Sequence, residues 1–356
     1  MFVAWRDLRF AKGRFALMGA VIVLITLLVG LLSGLTAGLG RQNTSAITGL
    51  PADRIAFAAP SGDQGLSYAD STVTEAQWRR WATAPGVTSA EPLGITTTKA
   101  TAGRRSTGVS AFGVQTGSVL APDSGKLNEH SAVLSATAAA DLGVQPGDSL
   151  TLAGRQLTVA AVSGDASFSH TPVVWITLEA WRTATSGTTA TVIALTTTSE
   201  ADITDTDRAV GTTTVSKDDS LSAIGSYTSE NGSLQLMRGF LFVISALVVG
   251  AFFAVWTIQR SGDIAVLKAL GATTAGLLKD ALGQAVVLLA GCALVGTGLA
   301  AGLGAAIAGT AVPFVLTPST VVVPVTVMVL LGALGAALAI RRITAVDPLT
   351  ALGSTR

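Results

Sequence analysis

Long apolar runs and one long polar stretch divide this chain. From Ala281 to Ile340 there are sixty residues without an Asp, Glu, Lys or Arg, and Arg341-Arg342 end the run. A membrane helix needs about 20 apolar residues to cross a hydrocarbon core of about 30 Å, so this run is long enough for two crossings. Pro313, Pro318 and Pro324 fall in its middle, where a turn between crossings is expected. Two further apolar spans are Phe15–Leu39, flanked by Lys12, Arg14 and Arg41, and Gly239–Ile258, flanked by Arg238 and Arg260. A cleaved signal peptide also opens on basic residues. Here, however, the uncharged part is about 26 residues long, well above the roughly 7–15 of a signal's apolar region, and it reads as a retained helix. The pattern predicts an integral membrane protein with four transmembrane α-helices, at about 15–39, 236–258, 281–310 and 321–340.

The stretch 40–235, between the first and second helices, is long enough for an independent domain. It is rich in Thr, Ser, Ala and Gly, with short strand-like runs between turn signals. Asp148–Val162 holds two alternating runs about an Ala-Gly-Arg turn and predicts a hairpin; Pro172–Leu178 predicts another strand. Thr74–Thr83 carries an N-cap residue, an acid in its first turn and Trp78/Trp81 three apart, and Pro85-Gly86 follow it. That is a short amphipathic helix. Ala132–Leu142 reads as a second, which makes the domain mixed α+β. Gly225–Leu236 leads into the second span as a continuation of its helix.

Composition agrees with the pattern. Hydrophobic residues make up 49% of the chain and charged residues 13%, about half the share of a soluble domain. A net charge of +1 gives no bulk electrostatic case for nucleic acid. Charge also orients the spans. Segments 1–14, 259–280 and 341–356 hold ten Lys/Arg against four Asp/Glu, whereas 41–234 holds twelve against eighteen. Basic flanks stay in the cytoplasm, so both termini, the 259–280 loop and the 341–356 tail are expected inside, with 40–235 and the short 311–320 loop outside. Residues 1–14 place Phe2, Trp5 and Leu8 on one helical stripe. They read either as an amphipathic helix on the inner membrane surface or as a basic flanking anchor. Gly30/Gly34/Gly38 and Gly298/Gly302 are small-residue spacings that let helices approach closely, within one chain or between chains.

A search for catalytic chemistry returns little. The phosphate loop, the paired-histidine zinc motif and the nucleophile-elbow serine are absent. One cysteine, Cys292, and two histidines, His130 and His170, leave no material for a disulfide framework or a histidine-rich metal centre. His170 reads as a loop histidine before a strand; Asp202, Asp205, Asp207, Asp218 and Asp219 read as solvated loop acids. The informative segment is Gln259–Ala272 (QRSGDIAVLKALGA). On a helix Ile264, Leu267, Leu270 and Gly271 follow one stripe while Asp263 and Lys268 face elsewhere. A short amphipathic helix ended by Gly suits docking into a groove on a cytoplasmic partner; a connector lying on the membrane is the alternative.

These residues resemble the FtsX-like or MacB-like permeases of ABC transporters. The shared pattern after the second span is Gln-Arg, an acid, then I-A-V-L-K-A-L-G-A, here with Asp263 where Glu is usual. Arg341-Arg342 followed by Asp347-Pro348 and Ala351-Leu352, and Asp141-Leu-Gly-Val-Gln-Pro-Gly-Asp148, match further family elements. The resemblance implies a non-catalytic membrane subunit without a cofactor of its own. A separate cytoplasmic ATPase dimer binds ATP, a second copy of the chain completes the permease, and Asp263, Ile264, Leu267, Lys268, Leu270 and Gly271 form the coupling helix. The four-span form is most similar to the haem-efflux permeases of Gram-positive bacteria, located in the cell membrane. In these an amphipathic substrate enters from the lipid near the outer ends of the first two spans. That points to Tyr227, Glu230 and Met237 as iron ligands and Arg238 as a propionate partner, or else to interfacial anchors and packing. The resemblance leaves open two other classes of work: force transmission to an extracytoplasmic partner such as a cell-wall hydrolase, and export of lipoproteins or antimicrobial peptides.

Overall fold

In the computed structural model, the described residues are 12–62, 64–185, 187, 189–259, 266, 270–271, 273–307 and 312–344. They divide into a helical unit, from Met1–Gly38 and Ser233–Arg356, and a domain unit, Leu39–Gly232.

The apolar windows lie inside longer helices: α1, Lys12–Thr48; α6, Tyr227–Gln259; α7, Thr274–Ile307; and α8, Pro318–Thr344. Hydropathy marks the uncharged window, not the last hydrogen-bonded turn, so α1 passes Arg41 and α6 begins well before Gly239. Among the described residues, three helices are long and apolar enough to cross a membrane; α8 carries a shorter apolar stretch, Val321–Gly335. Pro318 opens α8, a position where a missing N–H costs nothing, while Pro324 lies inside that helix.

In the helical unit Met18, Ile22, Val249, Ala285 and Leu289 form a buried cluster. Glycine sets the closest approaches. A Cβ on Gly30 would stand 2.8 Å from the Ala300 Cβ, one on Gly34 would enter the Phe314 ring, and one on Gly38 would meet the Pro313 carbonyl. The Val315 N–H donates to the Gly34 carbonyl at 3.1 Å, so the segment after α7 is tied to the glycine face of α1. Gly298 and Gly302, by contrast, face open space. The first glycine series therefore works within the chain.

The domain unit is built on ten strands, with helices α2 (Glu75–Ala82), α3 (Ala136–Leu142), α4 (Leu178–Thr185) and α5 (Ile203–Val210). The strands run β1 Arg54–Ala58, β2 Val87–Ala102, β3 Arg105–Val114, β4 Ser131–Leu134, β5 Ser149–Leu152, β6 Arg155–Val162, β7 Ser167–Phe168, β8 Thr171–Thr177, β9 Val192–Thr197 and β10 Thr212–Ser216. Nine of them follow the order β10-β1-β9-β2-β3-β8-β4-β6-β5, β7 pairs with β8 beside it, and β5 pairs back onto β2 through Ala100↔Leu152. Strands β2, β3, β8, β4, β6 and β5 thus close a ring, which removes their open edges. The long strand β2 is shared: its first half pairs with β9 and its second with β3.

Two apolar clusters fill the domain. One gathers Trp78, Trp81 and Trp181 with Leu134, Leu150 and Ile176. The other gathers Phe57, Tyr68, Phe112, Phe168 and Trp175, whose rings meet edge to face, together with Ile47 of α1 and Leu50 just beyond its end. Burial pushes the Tyr68 phenol far above its ordinary range, only partly offset by its hydrogen bond to Ser220.

The predicted hairpin is β5–β6, turning at Ala153-Gly154 with both residues left-handed, and the predicted strand at Pro172 is β8. Thr74 caps α2 with the capping box that its Gln77 completes. Ala132–Leu142 is not one helix. Its first residues form β4 inside the ring, and Ser135 caps α3, accepting from the Ala138 N–H. The apolar run Ala132–Leu134 was buried on both faces, which helical periodicity cannot distinguish from a helix. The acids expected in a loop are structural as well. Asp202 caps α5, and Asp207 accepts from Thr212 and Thr214. The expected N-terminal helix lies outside the described residues for 1–11, and Asp347–Leu352 of the tail lies outside them too.

Gly34→Val should lower the thermal stability of the detergent-purified chain by the roughly 1–3 kcal/mol of an overpacked contact. Gly298→Val should stay within about 0.5 kcal/mol. Equal melting temperatures for the two variants would refute glycine packing within the chain.

Candidate functional site

Ser169 and His170 form the two-residue turn between β7 and β8, with φ of 48° and 62°. Both residues are left-handed, so their N–H groups point out of the hairpin, and α1 receives them. The Ser169 N–H donates to the Asn43 carbonyl at 2.9 Å and the His170 N–H to the Gln42 carbonyl at 3.2 Å. Ser45 completes the seat: its hydroxyl accepts from the Ser167 N–H at 2.9 Å and donates to the Ser167 carbonyl at 3.3 Å. Phe168 anchors the same turn from below, packed against Tyr68 and Phe112.

The turn delivers the His170 imidazole to Glu230, in the first turn of α6. Nε2 donates to Glu230 Oε2 at 2.7 Å, which requires the proton on Nε2 because a carboxylate only accepts. Asn43, a buried residue of α1, donates from Nδ2 to the same oxygen at 3.1 Å and to Ser226 Oγ at 3.4 Å. Its Oδ1 is buried without a partner among the described residues. Both bonds to the carboxylate fall on Oε2, and among the described residues Oε1 accepts none. The group is partly exposed, with 41% of the Glu230 side chain accessible, and the N-terminal end of α6 favours its negative charge. Three segments far apart in sequence thus converge on one carboxylate oxygen.

The other expected site residues fall differently. Tyr227 packs against the second apolar cluster of the domain. Met237 and Arg238 belong to the helical unit, where Met237 is exposed and the Arg238 guanidinium lies 5.8 Å over the Phe242 ring. Among the coupling residues, Asp263, Ile264, Leu267 and Lys268 lie outside the described residues. Leu270 and Gly271 are described: Leu270 is exposed, its N–H donates to the Val266 carbonyl at 3.0 Å, and Gly271 is left-handed at φ 91°. The bond has helical i to i−4 spacing, and a left-handed glycine follows it. No group of three or more His, Cys, Asp or Glu arranged for a metal occurs among the described residues.

Sequence reasoning did not single out Asn43, and it treated His170 as a loop residue. Their partners lie 187 and 60 positions away, a separation that no local pattern carries. The one available signal was the Ser-His pair between strand-like runs, a turn that projects its second residue.

The MacB-like periplasmic core domain profile matches residues 15–213, and the FtsX-like permease C-terminal profile matches 236–348. The chain belongs to the family of FtsX-like and MacB-like ABC transporter permeases and is a multi-pass membrane protein. Among its relatives, a Staphylococcus epidermidis protein named as a hemin transport system permease, HrtB, is 32% identical over 144 residues. That match spans 40% of this chain and only 41% of the relative. A Staphylococcus haemolyticus protein of the same name is 25% identical over 99% of both chains, as is an uncharacterized ABC transporter permease of Mycobacterium tuberculosis. Two solved structures also match at 12% identity. The extracellular domain of YknZ from Gram-positive bacteria does so with a TM-score of 0.33, over 45% of this chain and 89% of that one. The periplasmic region of MacB from Actinobacillus actinomycetemcomitans does so with 0.36, over 49% and 92%.

Ser45→Ala leaves the Ser167 N–H without its acceptor. It should cost about 1–3 kcal/mol in thermal unfolding of the purified chain. Ser222→Ala, at an exposed position of the 3₁₀ helix Asp219–Ala223 where only a solvent-accessible bond to the Asp219 carbonyl is lost, should fall within about 0.5 kcal/mol. An unchanged melting temperature for Ser45→Ala would show that the hairpin seat contributes nothing.

Proposed function

We propose that this chain is the permease subunit of an ABC-type efflux transporter that takes an amphipathic compound, haem, laterally from the membrane. The observation that carries this reading is the Glu230 carboxylate, held by one oxygen at the outer start of α6 with the other oxygen open. The names of the staphylococcal relatives support the substrate class. A carboxylate oxygen, a phenol or a thioether can ligate haem iron, so Glu230 is the primary ligand, with Tyr227 and Met237 as further candidates. Arg238 would meet a propionate.

On this reading α8 is the fourth span, both termini and the 259–280 loop face the cytoplasm of a cell-membrane protein, and 40–235 lies outside. ATP is hydrolysed by a separate cytoplasmic ATPase dimer, and the chain contributes no catalytic residue. The segment from Asp263 to Gly271 receives the motion of that ATPase. A second copy of the chain completes the permease, and no soluble cofactor is needed.

Hemin titrated into the purified chain should shift the Soret band, and Glu230→Ala and Met237→Ala should each weaken the shift. Absence of a shift refutes haem, and a shift that both variants leave untouched refutes this site; with no shift, a cell-wall hydrolase captured on the outer domain would favour force transmission. For coupling, Leu267→Asp should insert normally yet lose stimulation of the partner ATPase. Wild-type transport by that variant refutes the coupling role.

A further inference from the structure

Resting on the haem reading above, we propose that His170 and Asn43 are positioning residues for Glu230: they pin its Oε2 and present Oε1 as a single-oxygen ligand to the iron. A carboxylate free to rotate offers a metal either oxygen or both. This one is held from two sides on the same atom, by imidazole at 2.7 Å and amide at 3.1 Å. Carboxylates that ligate metals are commonly held in this way by an outer partner, and loss of that partner typically costs 10–100-fold in metal affinity.

In neither residue is the nitrogen bonded to the carboxylate open to the iron. The His170 Nε2 proton faces the carboxylate, and Asn43 is buried beneath the surface that a porphyrin could reach. Both partners are fixed before any substrate arrives. The turn that carries His170 is locked by its backbone bonds to Gln42 and Asn43, and Asn43 lies within a continuous helix. The carboxylate is therefore preorganised, and a ligand need not pay to orient it.

The test compares hemin with metal-free protoporphyrin IX, which shares the ring and propionates but lacks iron, on the full chain in lipid nanodiscs. His170→Leu should weaken hemin binding by about tenfold and move the Soret maximum, while leaving protoporphyrin IX affinity unchanged. His170→Gln, which keeps an N–H donor, should recover most of the loss. Amide exchange, which needs no porphyrin, should quicken roughly fivefold in 227–232 for His170→Leu and for Asn43→Ala, with the β2–β3 pair unaffected. Unaltered hemin affinity and Soret maximum in His170→Leu overturn the proposal, and so does equal weakening of both porphyrins. Unchanged exchange in a chain that binds hemin overturns the positioning alone. A wild-type chain that fails to bind hemin overturns the haem reading, and the iron contact with it.

Discussion

Hydrocarbon offers no partner to a backbone N–H or C=O, and this constraint sorts every element of the chain. The long apolar segments of α1, α6 and α7 close their backbone bonds internally as helices, and so does the shorter apolar stretch of α8. Polar side chains inside them follow the same rule: Thr26 and Thr36 return their hydroxyls to the carbonyls of Ile22 and Leu32, four residues back. Apolar side chains gain little from meeting each other where lipid is just as apolar, so close contact has to come from shape. Gly34 and Gly304 flank the Phe314 ring for that reason, and a side chain on either would displace it. In the domain, strands replace helices, and the ring closed by β5 on β2 leaves six of them without an open edge.

Where the apolar windows end, polar groups return, and the domain unit uses them. The last turns of α1 and the first turn of α6 both belong to it, and both contribute to its chemistry. Ile47 and Leu50 enter an aromatic core, Asn43 reaches Glu230, and the carbonyls of Gln42 and Asn43 receive the β7–β8 turn. The last of these contacts is made by the left-handed pair, Ser169 and His170. A type I or II turn there would splay the flanking strands instead.

What the sequence made legible was whatever depends on local pattern. Charge-free windows exposed the apolar helices, capping residues exposed α2, and Ala-Gly exposed the β5–β6 turn. The helix ends were less legible, since hydrogen bonding continues past the last apolar residue: α1 runs on through Arg41-Gln42-Asn43 to Thr48. Strand β4 was hidden because a strand buried on every face shows no alternation. Strand β2 was hidden because its halves answer to different neighbours, and one sequence of Thr, Gly and Ala serves both. The candidate site was half legible. Glu230 stood out by its place beside an apolar span, but its partners are set by topology, which brings residue 43, residue 170 and residue 230 together from three separate elements.

A comparison with other acids of the domain bears on the ligand role proposed for Glu230. Most carboxylates of the domain are occupied by their own turns. Asp202 holds the Asp205 N–H, Asp219 is bonded to Ser216, Asp148 holds the Gln145 N–H, and Asp207 spends both oxygens on Thr212 and Thr214. Asp53 reaches further, to Thr197, but again with both oxygens. With both oxygens bonded, Asp53 and Asp207 cannot accept a metal without undoing local structure. Glu230 caps nothing: Ser226 supplies the first carbonyl of α6, and the Glu230 N–H simply joins it as an ordinary helical bond. Its side chain is left to long-range partners, which meet it on one oxygen. The structure thus holds a negative charge still without consuming its capacity to accept, the condition a ligand has to satisfy before its substrate arrives.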